Sequence, residues 1–173
     1  MMTQEQYNLE CCNLLRKFKT REGLYNYYQR RLDTNKILNT DDELVIQYFI
    51  DNVDKKVTIL EFAAGAGQVS NYLCMCGFTS IAINSHFNNN ACALKQGMFQ
   101  TIDTSSYDYI FATNGGGSYL TNADFHIFET ILNSNKKMIL HTLGNNTNLI
   151  TRLKAQFKFK IIAQTDVDIL LFN

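Results

Sequence analysis

The chain has 173 residues, 46% of them hydrophobic, with twelve Phe and nine Tyr, and its 16 Lys+Arg balance 16 Asp+Glu to zero formal net charge. Length and apolar content suit a single core that buries roughly 70% of the unfolded surface. The neutral balance excludes a basic footprint for nucleic acid. The absence of a long apolar run, or of a basic-then-apolar start in MMTQEQYNLECC, points to a cytoplasmic protein.

The predicted elements begin with a helix from the Thr3–Gln6 capping box, carrying Tyr7, Cys11, Leu14, Leu15 and Phe18 at helical spacing. A short second helix follows in LYNYYQRRL, with Leu24, Tyr27, Tyr28 and Leu32 on one side. Thr40 and Glu43 form the capping box of a third, whose Leu44, Val45, Tyr48 and Phe49 run to about Val53. From Val57 the period changes. VTILEF reads as a buried parallel strand, AAGAGQ as a turn, and QVSNYLCMC as a helix stopped at Gly77. TSIAIN is a second strand, SHFNNNACALKQ a helix, MFQTI a weak strand and YDYIFAT a stronger one. Thr121 with Asp124 caps a helix bearing Phe125, Phe128, Ile131 and Leu132; KKMILHT is a fifth strand and NTNLITRLKAQ a further helix. FKFKIIAQ and VDILLFN are separated by too few residues for a parallel crossover, so they pair as an antiparallel hairpin. Five Cys, without a second pair to accompany Cys74 and Cys76, read as reduced thiols, and no metal is expected.

Alternating strands and helices form an open α/β sheet, whose ligand crevice lies at the carboxyl ends of the strands where strand order reverses. The first strand ends there in Glu61-Phe62-Ala63-Ala64-Gly65-Ala66-Gly67, small residues that admit a ligand close to backbone. A dinucleotide fingerprint would need a glycine where Ser70 stands, which makes NAD the lesser reading.

ILEFAAGAG, the second strand ending at Asn84, YDYIFAT and the terminal hairpin resemble the class I S-adenosylmethionine-dependent methyltransferases, over about Val57 to Asn173. The resemblance implies a Rossmann-like, seven-stranded, mostly parallel sheet with helices on both faces and a terminal antiparallel hairpin. It implies one methyltransferase domain over 1–173, in which 1–54 form an N-terminal helical lid and 55–173 the S-adenosylmethionine-binding core. In the family motif acid-x-Gly-x-Gly-x-Gly, Glu61, Gly65 and Gly67 match and Ala63 replaces the first glycine; these residues would border the methionine part of the cofactor. Asn84 stands where the family has an acid for the ribose hydroxyls, and Asp103 would lie by the adenine amino group.

After the fourth strand, Asn114-Gly115-Gly116-Gly117-Ser118-Tyr119 is the loop that faces the transferred methyl in this family. Family members acting on nucleobase or amide nitrogens carry Pro-Pro-aromatic here, so a small-molecule acceptor is expected. Asn114 is counted with the cofactor site and Tyr119 with the catalytic residues; His141 is the candidate base, ahead of His126, while His86 could lie by the ribose. The expected partners are thus a small-molecule substrate, with no nucleic acid and no membrane; a homo-oligomer or protein partner stays open. The rival reading is a catalytically inactive domain of this fold that supports another protein, motivated by Ala63, Asn84 and Asp103.

Overall fold

The computed structural model describes residues 38–64, 67–84, 94–96, 101–113, 120–142 and 146–173. Its first element, α1 (Thr40–Asn52), is capped by Asn39, whose side chain accepts the Asp42 amide at 2.8 Å while Asp42 accepts the Asn39 amide at 3.2 Å. The capping box therefore sits one residue before the expected Thr40–Glu43 pair. Asn and Asp carry the same short acceptor oxygens, and the apolar face chooses the register. That face, Val45, Ile46 and Phe49, is buried, so this part of the expected lid is a layer of the core. The helices expected in residues 1–37 lie outside the described residues.

β1 (Thr58–Phe62) and β2 (Thr79–Asn84) pair in parallel, joined through α2 (Gln68–Met75). The helix stops where predicted, with Gly77 at φ 93°. β3 (Leu94–Gln96) pairs with β2, Asn84 opposite Gln96. This corrects one expectation, since Leu94–Gln96 were read as the end of a helix; of the weak strand expected at MFQTI, residues 98–100 lie outside the described residues. A three-residue edge strand is too short to show period two, and pairing overrides the helix propensity of ALKQ.

β4 (Tyr109–Ala112) lies on the other side of β1, then β5 (Lys137–His141), both parallel. Between them, Thr121 and Asp124 form the predicted capping box over a 3₁₀ turn (Asn122–Asp124) that runs into α3 (Phe125–Asn133). α4 (Thr147–Gln156) leads to β6 (Phe159–Gln164) and β7 (Asp168–Phe172), the expected antiparallel hairpin. β7 inserts between β5 and β6, antiparallel to both. Among the described residues the sheet order is β3-β2-β1-β4-β5-β7-β6.

Helices cover both faces. α1 and α2 pack on one around Phe49, Ile59, Leu73, Phe111 and Ile139; α3 and α4 pack on the other around Phe62, Phe128, Leu140, Leu153 and Phe172. At the amino ends of the strands, Asp108 accepts both the amide and the hydroxyl of Thr58, at 2.8 and 3.0 Å, tying the start of β1 to β4. None of the described helices is long and apolar enough to cross a membrane.

Candidate functional site

β1, β2 and β3 run outward to one side and β4, β5 to the other, so strand order reverses between β1 and β4. The crevice that this reversal opens lies at the carboxyl end of β1, next to residues 63–67. Ala63 enters the turn in the left-handed region, φ 49°, where side chains are disfavoured. Ala64 donates its amide to the Ile83 carbonyl at 3.0 Å, drawing the turn across the end of β2, and Gly67 donates to Ala64 at 2.8 Å. Gly67, at φ 73° and ψ 23°, is the N-cap of α2 and supplies no side chain to that end of the helix.

The missing cap comes from the strand. Glu61, 1% exposed, accepts the amide of Ser70 at 3.0 Å, in the first turn of α2. Ser70 also donates its hydroxyl to the same carboxylate. The helix dipole and these donors favour the charged form, but burial outweighs them and Asp42 opposes ionisation further, so the carboxyl is pushed up to about 8. Asp42 belongs to the first turn of α1.

Along the same face of the sheet, Glu61 is level with Phe111 on β4, Phe111 is level with Ile139 on β5, and His141 lies one pleat further on. His141 stands at the predicted strand end, yet it is 0% exposed. Burial holds its imidazole down to about 4, against a counteracting pull from Asp41. Asn146 donates its side-chain amide to the His141 carbonyl at 2.9 Å, fixing the chain as it leaves β5. Asp41 in turn accepts the hydroxyl of Thr165 at 2.7 Å, which joins α1 to the β6–β7 turn.

The structure thus brings Glu61, Ala63 and Gly67 together with the end of β2 at Asn84, and sets His141 two strands away. Gly65, Asn114, Tyr119 and His86 lie outside the described residues. His126 is exposed on α3, its Nδ1 3.0 Å from the Ala123 carbonyl. Asp103 is a correction. Its side chain accepts the Ser105 amide at 2.8 Å in a turn whose next residues bind Thr58 and Lys136 at the amino ends of β1 and β5. It is therefore at the edge of the sheet opposite the crevice, and local turn formation explains it.

Sequence reasoning missed Ser70 and Ser80. Ser80 donates its hydroxyl to that of Ser70 at 2.9 Å, and both are buried. The signal was present as a lone hydroxyl in the apolar strand TSIAIN, beside another in the first turn of a helix. Among the described residues no group of three His, Cys, Asp or Glu could hold a metal ion.

Solved structures share this layout. A SAM-dependent methyltransferase from Bacteroides fragilis, crystallised with S-adenosyl-L-homocysteine, matches with a TM-score of 0.61 at 10% identity, over 79% of this chain and 77% of that one. The fold is that of the class I methyltransferases. A TehB-like SAM-dependent methyltransferase from Corynebacterium glutamicum shares it, with a TM-score of 0.61, 12% identity, and 88% of this chain covering 98% of that one. So does the B. subtilis tRNA methyltransferase TrmK, with a TM-score of 0.53 and 13% identity over 79% of this chain; the match spans 66% of TrmK. No protein-family model and no curated protein matches the chain. In the methyltransferase fold found here, the turn from Ala63 to Gly67 lies at the switch point of the sheet.

Proposed function

We propose that the chain is an S-adenosylmethionine-dependent methyltransferase acting on a small-molecule acceptor in the cytoplasm, with residues 1–173 as one domain. The observation that carries this reading is the left-handed backbone of Ala63 and Gly67 at the switch point, anchored beneath by the enclosed Glu61. Ala63 and Gly67, with Gly65 between them, would let backbone approach the methionine part of S-adenosylmethionine, and Asn84 would accept from a ribose hydroxyl. Similar solved structures that hold S-adenosyl-L-homocysteine support the choice of cofactor.

When bound, S-adenosylmethionine supplies a methyl group on a positively charged sulfur, a donor already activated. The chain's own task is then to bind, orient and exclude water. In the loop after β4, Asn114 would border the cofactor and Tyr119 would flank the acceptor. His141 enters this reading in neutral form, the form able to take a proton, since burial keeps it unprotonated well below neutral pH. The neutral charge balance and the three glycines at 115–117 favour a small acceptor over a polyanion.

The second reading, an inactive domain of the same fold, is favoured by Asn84 in place of an acid and by the strain at Ala63. Titration calorimetry with S-adenosylmethionine, S-adenosylhomocysteine and NAD decides between them. The expected result is micromolar binding of both sulfur ligands and none of NAD. Binding of no ligand selects the inactive domain, and preference for NAD selects an oxidoreductase.

A further inference from the structure

Three polar side chains are stacked in the apolar layer between β1, β2 and α2. Ser80 projects from β2 level with Ile59, on the face that carries Glu61. Its hydroxyl donates to the Ser70 hydroxyl at 2.9 Å; the Ser70 hydroxyl and amide both point to Glu61, the amide at 3.0 Å from Oε2. A hydroxyl has one hydrogen. With Ser70 spending its own on the carboxylate, Ser80 satisfies the Ser70 oxygen, and the direction of the whole chain is set toward Glu61. Cys74 completes the arrangement by donating its thiol to the Ser80 carbonyl at 3.2 Å.

Resting on the methyltransferase reading, we propose that Ser80 is a positioning residue for the cofactor turn: through Ser70 it orients the Glu61 carboxylate and favours its charged form toward a cationic ligand. The sheet neighbours of Glu61 are Ala82 and Phe111, which offer no polar alternative, and Asp42 from α1 faces it with like charge. The chain of hydroxyls opposes both influences. Ser80 makes no claim on ligand itself, being buried near the amino end of β2, away from the crevice at the carboxyl ends of the strands.

Two readouts test this on the full chain. In the first, S-adenosylmethionine affinity is measured by calorimetry from neutral to alkaline pH for wild type, Ser80→Ala and Ser80→Thr. Ser80→Ala should weaken binding about five- to tenfold at neutral pH and shift the affinity profile to higher pH, with Ser80→Thr restoring both. In the second, the stability of the ligand-free protein is followed against pH. The Glu61 carboxyl, near 8 in the fold against an ordinary 4.5, makes stability fall as pH rises between those values. In Ser80→Ala that fall should extend to higher pH. An Ala variant with unchanged affinity and both profiles unmoved overturns the proposal. A wild type that binds no sulfur ligand overturns the methyltransferase reading, while the ligand-free profile still decides whether Ser80 acts on Glu61.

Discussion

At Ala63 the backbone takes φ 49° with a Cβ in place, a conformation that costs an L residue about 1 to 2 kcal/mol. Glycine removes the clash and gives back part of the gain through greater freedom of the unfolded chain. Ala63→Gly is expected to stabilise the fold by about 1 kcal/mol, read as a rise in the urea midpoint. A lower midpoint would mean that the Ala63 methyl packs better than its backbone suffers. His141 carries the second prediction at this scale. Its folded-state value, about 4, is below the ordinary 6.5, so its contribution is complete above 6.5 and lost as pH falls toward 4, where only the unfolded chain gains the proton. Denaturant titrations through that range should show stability declining with acidity, and His141→Gln should flatten the decline. The place of Glu61, Ala63 and Gly67 at the switch point was legible because the signature is contiguous and belongs to one strand end. Asp103 was misread because an acid before Ser105 serves a local turn as readily as a ligand. Ser70 and Ser80 escaped notice because only the docking of α2 on β2 makes them neighbours.

Among the elements, α1 lays the Phe49 ring, beside Val45 and Ile46, into the core against the sheet. Phe49 packs edge-on against Phe78 at 6.1 Å and Tyr109 at 5.4 Å, and tilted against Phe111 at 5.6 Å between centroids. With no exposed surface to start from, Phe49→Ala should cost about 3 to 5 kcal/mol in chemical denaturation. A loss below 1 kcal/mol would mean that the site collapses around the gap. The apolar spacing of this helix was plain in the sequence, although its cap lay one residue away. The strands with β-branched or aromatic runs, and the closing hairpin, were equally plain, since each carries its own length and period. β3 was not, for its three residues gain strand structure only by lying against β2. Thr121 and Asp124 were found because a capping box is complete within four residues.

For the whole molecule, the two faces of the sheet carry separate apolar clusters, and the switch point where they meet the turn is fixed by strand order alone. That order explains why the fold could be read without any long identity to solved proteins: alternation, short loops and right-handed crossovers leave few arrangements open. The acceptor is a different matter, because it depends on loops whose shape no period dictates. The placing of β7 has a further effect in time. It follows the other strands in the chain, yet it fills the slot between β5 and β6 and lends Ile169 and Leu171 to the cluster beneath α1. A nascent chain that has released β1 to β5 thus holds a half-built parallel sheet with β5 as a bare, sticky border, inviting neighbours to add strands of their own. The closing strand acts as a seal, covering that border once it pairs with β5.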